Sequence, residues 1–308
     1  MTSSLRMPGL HGLLLINKPS GLTSHDVVAR VRKLIGTKEV GHSGTLDPLA
    51  SGLMVLLVGE ATKLSQYVTE GDKSYSVGVK LGMTTDTQDI TGQVIEKKPV
   101  QVSIDVVNEM ALSLSGEFQL PIPIYSAKKI DGQKLYEYAR SGEQVEIPTK
   151  VMKFWDVQIQ PFISKQPQFH LHCAKGSFIR SWVTLLGERL GCGATMASLT
   201  RTSSHHFTLD QSITLEDLEK LTFEERLRKL IALDQALKNV KKIRIRGQDV
   251  VLMKNGQISH NLRLQLISLF KPETDQVVQI LPSERGQLLA LVGLEPHSGF
   301  KIRRVFKY

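Results

Sequence analysis

The chain of 308 residues has only two cysteines, Cys173 and Cys192. Eighteen residues separate them, which fits neither a CxxC pair nor a zinc pattern, so no disulfide framework is expected. Two free thiols in a reducing cytoplasm is the expectation. No stretch reaches the roughly 18 apolar residues that a membrane-spanning helix needs. The first residues, Met1 to His11, hold one arginine and no apolar segment, so no secretion signal is expected. Phosphate-binding glycine motifs are missing too: neither G-x-x-x-x-G-K-[ST] nor G-x-G-x-x-G occurs. Gly41-His42-Ser43-Gly44-Thr45 fails as a hydrolase elbow, because Thr45 stands where G-x-S-x-G needs its last glycine. His170/His172 and His205/His206 have no neighbouring carboxylate or cysteine set, so no metal site is expected. These absences leave a chemistry that needs no cofactor.

What is present is a charge imbalance. The chain carries 39 Lys/Arg against 30 Asp/Glu, and residues 241–308 alone hold 12 against 5. A basic surplus of +7 in this segment, against +2 for residues 1–240, is an electrostatic footprint for a polyanion, with nucleic acid the leading candidate. Charge alone leaves simple solubility open.

Gly12 to Ile16 reads as a strand ended by the turn Asn17-Lys18-Pro19-Ser20-Gly21. Thr23 and Asp26 stand at capping-box spacing, with Asp in place of the usual Glu. Val27, Val28, Val31, Leu34 and Ile35 then form a helical stripe that Gly36 stops. A short helix is expected over Ala61 to Tyr67. Tyr75 to Leu81 alternates as a strand, expected to pair with Gln93 to Glu96. Val102 to Ser115 reads as an amphipathic helix, Val151–Gln160 and Gln168–Cys173 as a hairpin. Gly176-Ser177 leads into a helix through Leu190. Leu215 to Leu237 reads as helical, broken near Thr222. Beyond Lys241 short strands are expected at 242–246, 250–253, 277–281, 288–292 and 302–306. The shift sets a domain boundary near residue 240, giving 1–240 and 241–308. Strands and helices mix without regular βα alternation, so the fold class is α+β, not a doubly wound sheet.

The most informative segment is Gly41-His42-Ser43-Gly44-Thr45-Leu46-Asp47-Pro48-Leu49-Ala50-Ser51-Gly52. Three glycines and a proline constrain a loop that holds one aspartate, directly before the buried strand Leu53 to Val58. Glycines let a ligand approach the backbone, so such a loop can present a reactive carboxylate. An isolated Asp-Pro is more often a capped turn. A single poised acid, a basic tail and no cofactor suit an isomerisation or a group transfer through a carboxylate nucleophile.

At this point a resemblance enters. Gly41 to Gly52 is similar to the catalytic signature GHTGTLDPLATG of the TruB-type tRNA pseudouridine synthases. Further segments agree in order. Lys18-Pro19-Ser20-Gly21-Leu22-Thr23-Ser24 resembles the KPxGxTS motif. Lys73-Ser74-Tyr75 and Leu81 to Asp89 resemble the tyrosine strand and its loop, and Tyr125-Ser126-Ala127 the YSA segment. Lys175 to Arg180 resembles the arginine motif, and Leu199-Thr200-Arg201-Thr202 the leucine motif. The match runs from about residue 12 to 210. Ser43 replaces the common Thr, Phe178 the common Tyr and Ile122 the first of two prolines. Ser203-Ser204-His205-His206 departs where the family often continues to a glycine.

The resemblance implies conversion of uridine 55 in the tRNA T-loop to pseudouridine, with Asp47 as nucleophile on a flipped-out base. It implies that Arg180 pairs with Asp47, and that Tyr75 stacks on the uracil and serves as candidate base for the C5 proton. Leu199 would pack on the ring, His42 would brace the vacated space, and Lys18 and Asp89 would complete the substrate site. No cofactor and no metal are implied. The mainly antiparallel catalytic sheet would be followed by a small β-rich PUA-like RNA-binding domain. The partner is tRNA, without a guide RNA, and a monomer is the default. A tRNA-folding helper and a guide-dependent synthase remain the competing readings.

Overall fold

The structure, a computed structural model, describes residues 10–126, 128–130, 132–141, 145–163, 166–284 and 287–308. Ala127 of the Tyr125-Ser126-Ala127 segment, and residues 1–9 of the leader reading, lie outside the described residues. The frame is one large mixed sheet. Its main path runs Ile213–Thr214, Gly12–Lys18, Ser51–Val58, Ala194–Ser204, Lys73–Leu81, Gln166–Cys173, Thr149–Ile163 and Gly116–Pro121. Two short strands, Val40–His42 and Phe207–Thr208, pair at its side. All pairings are antiparallel except Gly12–Lys18 with Ile213–Thr214 and Ser51–Val58 with Ala194–Ser204. A second sheet of four strands, Lys242–Ile245, Val278–Pro282, Ala290–Glu295 and Gly299–Val305, closes the chain. The class is α+β, as the irregular alternation of the sequence implies.

Local chemistry explains the elements that position the site. The helix Ser24–Ile35 starts at a reciprocal cap, in which Asp26 N donates to Thr23 Oγ1 at 3.1 Å and Thr23 N to Asp26 Oδ2 at 2.8 Å. It buries Val27, Val28, Val31 and Ile35 against Leu14, Ile16, Met54 and Leu56, and ends at the left-handed Gly36. The helix Ile179–Arg189 lays Trp182, Val183 and Leu186 on the sheet face that includes Val77, Val79, Phe169 and Leu171.

The structure departs from the sequence expectations at five points. Lys73–Leu81 is a central strand, with Gln166–Cys173 and Ala194–Ser204 on its two edges; Val94–Lys97 instead pairs with Met83–Thr85 in an outlying hairpin. All four residues of Val94–Lys97 are exposed, so that segment could not line a core strand. The eleven-residue strand Ala194–Ser204 was not expected, because its Ser/Thr alternation carries a weak apolar signal. Residues 250–253 lie in the helix Gln248–Lys254, since a four-residue apolar run does not distinguish strand from helix. The helix His260–Leu269, capped by Ser259, was likewise missed. Leu215–Leu237 resolves into two six-residue helices, Leu215–Lys220 and Phe223–Arg228, the second capped by Thr222 and Glu225.

The two sheets share apolar surface. Leu13, Leu15, Leu57 and Leu64 form one cluster with Val277, Leu281, Leu288, Leu291 and Phe306. Polar contacts reinforce it: Lys307 N donates to Glu60 Oε2 at 2.8 Å and Lys63 Nζ to the Val305 carbonyl at 3.0 Å.

Candidate active site

The loop carrying Asp47 is held from the N-terminal segment. Ser24 Oγ donates to the Leu46 carbonyl and accepts from Leu46 N, both at 2.9 Å. Gly21 N donates to the Pro48 carbonyl at 2.7 Å, and Ser20 Oγ to the Leu49 carbonyl at 2.7 Å. Lys18 is 0% exposed, and its amine donates to the carbonyls of Leu22 at 2.6 Å, Pro19 at 3.0 Å and Pro48 at 3.4 Å. Burial lowers the Lys18 amine to about 8 against the pull of Asp47. The KPSGLTS segment and the aspartate loop are therefore one hydrogen-bonded unit, and Lys18 lies beneath the loop instead of on a cleft wall.

Arg180 enters from the first turn of the helix Ile179–Arg189. It is 4% exposed, and its Nη2 lies 3.0 Å from Asp47 Oδ2. The same guanidinium donates to the Thr87 carbonyl at 3.2 Å and to the Tyr125 carbonyl at 3.0 Å. These bonds fix its planar fork, so the ion pair also aims the carboxylate. Although 32% of the Asp47 side chain faces the cleft, its carboxylate sits among low-dielectric walls. Burial pushes its pKa upward and Asp89 adds to this, while Arg180 and Lys18 oppose it; the net direction is up. Without its cationic neighbours this carboxylate would be protonated more readily still.

Two hollows meet at Asp47. One, of about 480 Å³, is walled by Tyr75, Leu199, Arg201, Lys73 and Phe178, with Asp47 and Arg180 on its floor. The other, of about 560 Å³, holds His25, His42, Asp89, Tyr125 and Tyr136 around the same pair. Tyr75, Leu199 and Val77 come together because Lys73–Leu81 and Ala194–Ser204 pair with Leu199 opposite Val77 and Arg201 opposite Tyr75. Tyr75 is buried, and burial raises its phenol to about 12. His42 ends the short strand Val40–His42; its Nδ1 is buried with no hydrogen-bond partner, and burial lowers its pKa. Asp89 is buried and its Oδ1 accepts from Thr91 N and Thr87 Oγ1, both at 3.0 Å. Six of the seven residues singled out from the sequence thus face one or other hollow, and Lys18 supports the loop from below.

Sequence reasoning missed Arg201, Lys73 and Ser126, which share the walls. Arg201 lay two residues beyond Leu199 in an unrecognised strand, so its face could not be assigned. His170 and His172 lie apart, engaged with Thr202 at 3.2 Å and Ser74 at 2.9 Å. His205 adopts φ 58° in the tight turn before Phe207–Thr208, which is how this chain closes the segment without the glycine expected there.

A carboxylate held ionised by a fixed guanidinium, in a hollow with an aromatic and an aliphatic wall, can attack a planar ring system or its sugar. Comparisons with known proteins give the family. Residues 32–179 match the TruB family pseudouridylate synthase N-terminal domain, and residues 180–242 the tRNA pseudouridylate synthase B C-terminal domain. The chain is 53% identical over 300 residues to the tRNA pseudouridine synthase B of Bdellovibrio bacteriovorus, covering 97% of each. It is 41% identical over 256 residues to that of Bacillus licheniformis, covering 80% of this chain and 83% of the relative. Among solved structures it resembles an H/ACA RNP bound to a substrate RNA containing 2′-deoxyuridine, with TM-score 0.68 and 19% identity over 99% of this chain and 92% of that one. At that identity the likeness is one of fold.

Proposed function

The chain belongs to the TruB family of pseudouridylate synthases and is a tRNA-modifying isomerase, and from that premise we propose that it converts uridine 55 of the tRNA T-loop to pseudouridine with Asp47 as nucleophile. The observation that carries this reading is the Asp47–Arg180 pair at 3.0 Å on the floor of a hollow walled by Tyr75 and Leu199. The target base is flipped out of the folded loop, at a cost of about a few kcal/mol. Asp47 attacks the flipped nucleotide, the N1–C1′ bond breaks with its electron pair on the uracil, the uracil turns, and C5 joins C1′ as the bond to Asp47 breaks. The C5 proton then leaves, with Tyr75 as its acceptor. Arg180 keeps Asp47 ionised, Leu199 packs on the ring, and His42 and Asp89 belong to the adjoining hollow that takes neighbouring nucleotides. Substrate and product are isomers, so the reaction has no need of an energy source.

The chain acts on bare tRNA without a guide RNA. The basic residues 241–308 form a PUA-like RNA-binding domain, with Lys and Arg holding phosphates in register without reading sequence. The test is release of tritium from an unmodified tRNA transcript labelled at uracil C5, with Asp47→Asn alongside. Release from one uridine per tRNA, mapping to the T-loop and lost in the variant, is the expected result. Release at full rate from Asp47→Asn, or from a uridine outside the T-loop, would overturn the reading.

A further inference from the structure

Arg201 is among the largest fully enclosed side chains of the molecule, 1% exposed. Among the described residues it forms no ion pair. Its Nε donates to the Leu53 carbonyl at 2.6 Å and its Nη2 to the Gly44 carbonyl at 3.2 Å, and it shares the wall of the hollow with Tyr75. An enclosed cation with only neutral acceptors is costly, so such a group is seldom a mere filler. Its placement follows from register: Arg201 stands directly opposite Tyr75 on the antiparallel neighbour strand, so both side chains share one face. Gly44, three residues before Asp47, supplies the second anchor.

We propose that Arg201 is a positioning residue for the isomerisation, anchored to the loop of Asp47 through the Gly44 carbonyl and setting a fixed positive charge on the face it shares with Tyr75. The inference rests on the reading of Tyr75 as acceptor of the C5 proton. Three charged or titratable groups bear on the phenol: Arg201 from one neighbouring strand, Cys173 from the other, and Asp47 from the loop. Lys73 stands beside both Arg201 and Cys173. Burial and the Asp47 charge both oppose ionisation of Tyr75, and Arg201 favours it. When Asp47 bonds to carbon, the N1–C1′ electron pair leaves with the uracil. When C5 joins C1′, the bond to Asp47 breaks and its carboxylate is restored, while Arg201 stays fixed beside the phenol. That fixed charge lets Tyr75 lose its proton to water more readily. The C5–H bond breaks, its electron pair stays in the ring as the C5=C6 double bond, and the proton passes to the phenolate, which becomes a phenol again.

The test places a fluorinated tyrosine at position 75 of the full chain and follows its titration by fluorine NMR, with Arg201→Met and Arg201→Lys. In Arg201→Met the midpoint is expected to rise by about one pH unit or more. Single-turnover tritium release from C5-labelled tRNA at neutral pH should fall about tenfold or more, with tRNA affinity within a few fold. An unchanged midpoint in a folded Arg201→Met protein would overturn the proposal. If Arg201→Met fails to fold, Arg201→Lys carries the test: an ammonium cannot hold the Leu53 and Gly44 carbonyls in the guanidinium's fork, so its charge shifts from Tyr75, the midpoint rises less and release slows. Wild-type values for both would equally overturn it. Tyr75→Phe separates the two readings: full tritium release there removes Tyr75 as proton acceptor, while the fluorotyrosine titration still decides whether Arg201 governs the phenol.

Discussion

Gly52 lies against the backbone of Arg201: a Cβ at Gly52 would stand 2.4 Å from the Arg201 carbonyl oxygen and 2.7 Å from its nitrogen. The two residues face each other where the strands Ser51–Val58 and Ala194–Ser204 run parallel, and Gly52 has φ +99°. The last glycine of the aspartate signature therefore serves the sheet. It lets the strand that follows Asp47 approach the strand bearing Leu199 and Arg201.

Gly52→Ala is accordingly expected to destabilise the protein by about 2–4 kcal/mol, from a steric clash with backbone and an unfavourable φ together. Urea unfolding checks this. Activity should fall with the folded fraction and with the displaced wall of the hollow, so a variant of wild-type stability would refute the contact.

Arg180→Met removes the nearest positive charge from Asp47, whose pKa is already raised by burial. Its pKa then rises further, less of the carboxylate is ionised at a given pH, and the acid limb of the rate profile moves to higher pH. Turnover near neutrality should drop by at least about a hundredfold. Rates of tritium release between pH 5 and 8 measure both effects, and an unmoved acid limb would argue against the pairing.

Lys18 offers a test with a defined pH window. Its folded value is depressed to about 8 from 10.5, so the unfolded chain binds the proton more tightly between these limits. Stability should therefore rise as pH increases from about 8 to 10.5, and the increment be lost as pH falls back through 8. Lys18→Met should lack this increment. It should also slow turnover, because the carbonyls of Leu22 and Pro48 lose their donor and the Asp47 loop loosens. Melting temperatures across that range decide the first point.

The basic second sheet can be probed without removing it. Ending the chain near residue 240 would uncover the apolar cluster that Leu13 and Leu57 share with Leu281 and Phe306. Exposed cations are the better targets. Replacing Arg246, Lys254 and Arg263 by Gln should weaken tRNA binding and make its logarithmic salt slope shallower by about two to three. An unaltered slope would place the phosphate contacts elsewhere.

Much of the site was legible because its parts are local. The Thr23–Asp26 cap, the left-handed Gly36 and the constrained Gly41–Gly52 loop each depend on neighbours within a few residues. The class α+β followed from irregular alternation. The strand Ala194–Ser204 was not legible, because six of its eleven residues are Ser or Thr and its place is set only by pairing on both edges with distant strands. Arg201 was lost with it. Val94–Lys97 was assigned to the wrong partner because alternation says that a segment is extended, not which edge it joins.

The sequence by itself singled out one aspartate on a glycine-constrained loop and a basic final segment, and the resemblance of its motifs added an arginine at a helix start and a tyrosine in a strand. Local motifs and charge need no long-range contact to be read. Only the tertiary structure decided that Lys18 lies under the loop, that Arg180 meets Asp47 at 3.0 Å, and that Arg201, bonded to the Gly44 carbonyl, stands opposite Tyr75. Those relations depend on strand order and register across more than a hundred residues of chain, where pairing one residue out of step would turn Tyr75 and Arg201 to the opposite face.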